Sequence, residues 1–104
     1  MKDTEDRFHQ AMIEVYESAK TECGYNAVRF LSMVSEKGGL STAKILLNSD
    51  TSSQGFTALW ERKGLNFSME AQVLKPEFAS LFTEAEKEKA KFRLEQYGYK
   101  FPNN

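Results

Sequence analysis

The sequence predicts an all-α protein: a compact orthogonal bundle of five or six short helices forming a single domain over residues 1–104. Three observations lead there. Apolar residues recur at intervals of three and four along most of the chain, the spacing that gathers side chains on one side of an α-helix. Glycine or proline interrupts each of these runs, at Gly24, Gly38-Gly39, Gly55, Gly64, Pro76 and Gly98. No segment shows the sustained alternation of Val, Ile, Thr or aromatic residues that a half-buried strand requires.

The first helix is expected over residues 4–23, where Phe8, Met12, Val15, Tyr16, Ala19 and Cys23 form one stripe and Asp6, Gln10, Glu14, Glu17 and Thr21 fill the opposite face. Gly24, which readily takes the left-handed conformation, should end it. In the second helix Asn26 serves as a cap, Ala27, Phe30, Leu31 and Val34 make the stripe, and Lys37-Gly38 closes the run. A third, carrying Ala43, Leu46 and Leu47, should stop near Asn48. Residues 49–55 form a polar loop, because their hydroxyl, amide and carboxylate side chains compete with the backbone ladder of a helix. Phe56, Leu59 and Trp60 begin a short fourth helix ended by Gly64. Ser68 caps a fifth over Met69 to Leu74, and Pro76 forbids its continuation, leaving Pro76 to Phe82 as one irregular helical turn.

The last helix, about 84–97, has the clearest start. Thr83 with Glu86 three residues later is a capping box, in which each side chain accepts the other residue's free backbone N–H. Glu84 with Lys87, Glu86 with Lys89 and Glu88 with Lys91 read as i, i+3 pairs on a solvated face. Ala90, Leu94 and Tyr97 give one apolar stripe, and Ala85 and Phe92 on the other side imply a second apolar contact. Gly98 should end the helix, with Tyr99 folding back on it and Pro102 beyond. A local pattern also recurs at Gly24-Tyr25-Asn26, Gly39-Leu40-Ser41, Gly55-Phe56-Thr57 and Gly64-Leu65-Asn66: glycine, a large apolar residue, then a residue able to cap the next helix.

Composition narrows the function. A formal charge of -1 is not that of a polycation coating nucleic acid. One cysteine cannot form an internal disulfide, and no long apolar run or leader pattern occurs, so a cytoplasmic protein without a membrane anchor is expected. Catalytic groups are sparse. His9 is the only histidine; it and Cys23, fourteen residues apart on one helix, are separated by about 21 Å along the axis and cannot form a dyad. His9 reads as a surface or hydrogen-bonded group and Cys23 as a small core residue. Glu61, next to Trp60, and Glu70, in the first turn of the fifth helix, are the carboxylates without an obvious lysine beside them; a dipole-stabilised structural role is the reading for Glu70. Nucleotide-loop and calcium-loop patterns are missing, and no cofactor or metal is expected.

Two surfaces remain. Gly39-Leu40-Ser41-Thr42-Ala43-Lys44 resembles the second half of a helix-hairpin-helix motif, in which amides at a helix start hold a nucleic-acid phosphate. Lys37, Gly38, Gly39, Ser41, Thr42 and Lys44, joined by Arg29, would then form the phosphate site, although Lys37-Gly38-Gly39 stands where that motif has glycine, an apolar residue and glycine. A corner serving packing alone is the competing reading. The other surface is aromatic. Eight Phe, four Tyr and one Trp are many for so small a core, so some should face solvent, and Trp60 with Phe56, Arg62 and Lys63 is a candidate protein interface.

A wider pattern passes through the same residues: Gly38-Gly39, Ala43-Lys44 with Leu46-Leu47, Gly55-Phe56 with Leu59-Trp60-Glu61, Ser68 with Glu70-Ala71 and Val73-Leu74, Leu81-Phe82-Thr83 with Glu86, and Tyr97-Gly98-Tyr99. Over Gly24 to Tyr99 it resembles a widespread family of short uncharacterised bacterial proteins. The resemblance implies a bacterial or phage origin and a non-catalytic role, with no ligand or activity to carry over. The expectation is therefore a non-catalytic, accessory or regulatory helical module that binds a protein partner or larger assembly through the Trp60 region and the adjoining polar loop. Phosphate contact through Gly38-Gly39 is the alternative, and a homodimer is left open.

Overall fold

The computed structural model describes residues 2–49 and 54–99, and all the structural observations below concern them. Helix α1 spans Lys2–Cys23, starting two residues earlier than the apolar spacing suggests, with Asp3 and Glu5 in a first turn where the helix dipole favours negative charge. Phe8, Met12, Val15 and Ala19 are buried, so the stripe at i, i+4, i+7 and i+11 is the face that meets the rest of the protein. Gly24 takes φ +67°; its N–H donates to the Lys20 carbonyl at 3.2 Å, and the N–H of Tyr25 donates to that of Ala19 at 2.9 Å.

Helices α2 (Val28–Lys37) and α3 (Gly39–Leu47) meet at a single residue. Gly38, at φ +90°, closes α2 by donating its N–H to the Val34 carbonyl and opens α3 by accepting the N–H of Thr42. The turn is this tight because only glycine takes that conformation without strain. Asn26 does not cap α2. Ala27 occupies the cap position, and the Asn26 Oδ1 instead accepts the Tyr16 hydroxyl at 2.7 Å, tying the loop back to α1. The recurring Gly-apolar-polar pattern is likewise not a capping device: Ser41 and Thr57 lie inside helices and Asn66 inside a 3-10 turn.

Of the expected polar loop, residues 50–53 lie outside the described residues, and Gln54 and Gly55 already belong to α4 (Gln54–Glu61). A 3-10 turn (Leu65–Phe67) then leads into α5 (Met69–Val73), where the Ser68 hydroxyl accepts the N–H of Ala71 as expected. Pro76–Leu81 forms a second 3-10 segment. Helix α6 (Glu84–Gln96) opens with the capping box: Thr83 Oγ1 accepts the N–H of Glu86 at 3.1 Å, and Glu86 Oε1 accepts the N–H of Thr83 at 2.9 Å. Its far end locks in the same local way. Gly98, at φ +78°, donates to the Glu95 carbonyl while Tyr99 folds back to donate to that of Leu94, the double bond pattern of a Schellman motif.

These helices share a core of two neighbouring clusters. In the larger, Phe8 stands edge-on to Phe78 and Phe82, with ring centroids 5.1 and 5.2 Å apart, and Met12, Val34, Leu47 and Val73 complete the packing. Burying a side chain such as Phe8 stabilises the fold by about 1.5–3 kcal/mol, and each edge-to-face pair adds about 0.5–1.5 kcal/mol. The smaller cluster joins Ala19 of α1 to Phe56 and Leu59 of α4, Leu65, and Leu94 of α6. Helix α1 thus runs past both clusters. The result is an all-α bundle with no strand among the described residues, and none of the described helices is long and apolar enough to cross a membrane.

Candidate functional site

The end of α4 carries the candidate interface. Trp60 is 45% exposed, and its ring is held edge-on against Tyr97 at 5.1 Å. Tyr97 in turn meets Phe56 at 5.0 Å, so the exposed indole stands on two rings anchored at the end of α6 and in the core. Phe56 itself is only 2% exposed and packs with Leu59 and Leu94, so it supports the surface rather than presenting it, contrary to its place in the expected interface. Arg62 is exposed and lies over the Tyr25 ring at 5.5 Å from the centroid. A cleft of about 340 Å³ adjoins the indole, lined by Trp60, Lys63, Asn66, Tyr97 and Tyr99. The Tyr99 hydroxyl donates to Asn66 Oδ1 at 2.7 Å, and burial raises the Tyr99 pKa.

Lys63, also exposed, shapes this surface through its backbone. It is the one non-glycine residue with positive φ among those described, at +59°. Its N–H donates to the Trp60 carbonyl and that of Gly64 to the Leu59 carbonyl, again a Schellman pattern. The left-handed residue is therefore Lys63, and Gly64 is needed for a different reason: a Cβ there would overlap the Cys23 sulfur of α1. This close approach fixes the end of α4, and with it Trp60, against the end of α1.

The Gly38-Gly39 corner is engaged from within. The N–H of Gly39 donates to His9 Nδ1 at 2.9 Å, so the amide that would hold a phosphate at the start of α3 already has a partner on α1. A Cβ on Gly39 would come 2.7 Å from the His9 Cα, and Gly39 is buried. Thr42 is fully buried, and Lys44 Nζ binds Glu86 Oε1 at 2.7 Å while lying 5.2 Å from the Phe82 ring centroid. Of the residues assigned to phosphate contact, Lys37, Ser41 and Arg29 are exposed and Gly38 half-buried, but the corner itself is built for helix packing.

Two buried carboxylates were not foreseen as such. Glu86 does not pair with Lys89: its Oε1 takes Lys44 and the Thr83 N–H, and its Oε2 accepts from Asn48 Nδ2 at 3.3 Å, while Lys89 donates to Asn48 Oδ1. Burial pushes its pKa up, but the hydrogen bonds from Lys44, Thr83 and Asn48 outweigh that and hold it below the ordinary value. Glu70, 3% exposed, meets Arg93 at 3.4 Å, and burial raises its pKa against the backbone hydrogen bond and the Arg93 charge that lower it. Arg93, 7% exposed, also donates to the carbonyls of Leu46, Leu47 and Ser49 at the end of α3. The expected Glu84–Lys87 pair is present at 2.8 Å. Phe92 and Ala85, expected to find a second apolar contact, face solvent, Phe92 with 61% of its surface exposed.

Cys23 is half-buried against the smaller cluster, Glu61 is exposed beside Trp60, and no three His, Cys, Asp or Glu side chains among the described residues converge to hold a metal. Comparison with protein-family models, curated proteins and solved structures gives no match to this chain.

Proposed function

We propose that this chain is a non-catalytic helical interaction module that binds a protein partner through the surface around Trp60. The observation that carries the reading is a half-exposed indole already fixed by Tyr97 beside a cleft lined by Tyr97, Tyr99, Lys63 and Asn66. Tryptophan, tyrosine and arginine dominate the energetics of protein interfaces, and a side chain immobilised before binding loses less entropy on association. Arg62, resting on Tyr25, and Lys63 place positive charge beside the anchor, which suits an acidic partner surface. The accessory role and a cytoplasmic location belong to the same reading.

The test pairs Trp60→Ala with Phe92→Ala, the latter removing a more exposed aromatic from a site without such support. Both tagged variants are checked for folding by circular dichroism, then used to capture partners with and without nuclease. The reading expects one stoichiometric protein, resistant to nuclease, that Trp60→Ala loses and Phe92→Ala keeps. Equal capture by a folded Trp60→Ala protein overturns it. Material that nuclease removes, with binding abolished by Lys37→Glu, returns the corner between α2 and α3 to first place.

A further inference from the structure

Helices α1, α2 and α4 and the start of α5 do not close fully on one another. They leave a cleft of about 470 Å³, within the range of about 300–1,000 Å³ typical of small-molecule sites. Val15 and Ala19 from α1, Phe30 and Met33 from α2, and Phe56 and Leu59 from α4 supply apolar walls. This cleft shares no lining residue with the one beside Trp60.

Its charged and polar lining residues come from the starts of α2 and α5 and the turn before α2. At the start of α5 both are committed: Ser68 donates to the Leu65 carbonyl and accepts the N–H of Ala71, and Glu70 is paired with Arg93. At the start of α2 stands Arg29, exposed and in no ion pair among the described residues. No side chain caps the first turn of α2 and no acidic residue lies in it, so the partial positive charge of that helix end adds to the guanidinium. An apolar cleft with one uncommitted cation at its edge complements a molecule with an alkyl body and a single negative head.

We propose that this cleft binds a small amphiphilic anion of the alkyl carboxylate class, its chain between Phe30, Met33 and Leu59 and its carboxylate paired with Arg29. A cationic head group has no equivalent partner, because the one carboxylate lining the cleft is buried and held by Arg93. The guanidinium geometry suits a carboxylate, which it can bind through two parallel hydrogen bonds.

The experiment titrates the full chain with decanoate, decanol and decyltrimethylammonium, each below its micelle concentration, by calorimetry, with amide NMR shifts locating the site. The expected result is saturable 1:1 binding of decanoate with shifts in Phe30, Met33 and Leu59, and weaker binding of the other two. Arg29→Glu, a change at an exposed position, should weaken decanoate by about tenfold or more and remove its advantage over decanol. Met33→Trp, which fills the cleft and leaves Arg29 in place, should abolish binding of all three. Equal affinity for the three probes, decanoate binding indifferent to Arg29→Glu, shifts elsewhere on the protein, or no saturable binding of decanoate each overturns the proposal.

Discussion

His9 Nδ1 accepts the N–H of Gly39 at 2.9 Å, joining the first half of α1 to the first residue of α3. The two backbones approach so closely that no side chain fits at Gly39, and the imidazole, from α1, satisfies one of the first-turn amides of α3, a helix whose own cap position, Gly38, has no side chain to do so. Gly39→Ala should therefore cost about 1–3 kcal/mol through overpacking against α1. His9→Leu should cost about 1–3 kcal/mol by leaving a buried amide without its partner. Urea denaturation measures both. Because the two changes act on one contact, the double variant should fall short of their sum.

Lys63 and Gly64 divide a task that one glycine usually performs. Lys63 carries the left-handed conformation, which for a residue with a Cβ costs about 1–2 kcal/mol. Lys63→Gly should accordingly raise stability by about 0.5–1 kcal/mol once the greater freedom of glycine in the unfolded chain is subtracted. Gly64→Ala should lower stability, since its Cβ meets the Cys23 sulfur, and Cys23→Ala should recover part of the loss. Thermal unfolding of the four variants reads the signs directly.

Features whose partners are close in sequence were legible without a structure. The Thr83–Glu86 box, the Ser68 cap, Gly24, Gly98 and the stop before Pro76 all act over a few residues, so the local residue types determine them. The α1 stripe was legible because every one of its deeply buried residues is apolar. Helix α6 was legible at its start and along the Ala90–Leu94 stripe, but not in the charged half of its buried face, Glu86 and Arg93, because such a mixture resembles a solvated surface. Its partners, Lys44, Asn48 and Glu70, are 23 to 42 residues away. The same distance hid the role of Gly39, which only α1 explains, and although the number of aromatics implied that some face solvent, only the structure shows that Trp60 and Phe92 are the exposed ones among the described residues.

Glu86 binds the helix start, Lys44 and Asn48 at once, and its pKa lies below the ordinary glutamate value of 4.5. A carboxylate stabilised in this way contributes fully above its unfolded value, and the contribution is lost as pH falls through the folded one. Glu86→Gln should cost about 1–2 kcal/mol at neutral pH, from the weakened box and the lost Lys44 pair. The gap between variant and wild type should narrow as pH falls below about 4.5. Denaturant midpoints across an acid series check this, and a gap that stays constant would refute it.

Glu70 and Arg93 form the opposite case. Burial raises the Glu70 pKa, so above the ordinary value the folded protein binds the proton more tightly than the unfolded chain, and stability falls as pH rises through that window. Glu70→Gln removes this dependence, and because Arg93 keeps three carbonyl acceptors, the variant should stay within about 1 kcal/mol of wild type at neutral pH. Arg93→Met should cost about 3–5 kcal/mol, since it strands the Glu70 charge and takes the guanidinium from the end of α3. Combining the two should restore part of that loss, because the stranded charge is then gone while the carbonyls still lack their donor. If Arg93→Met were as mild as Glu70→Gln, the guanidinium could not be what secures α3 against α6.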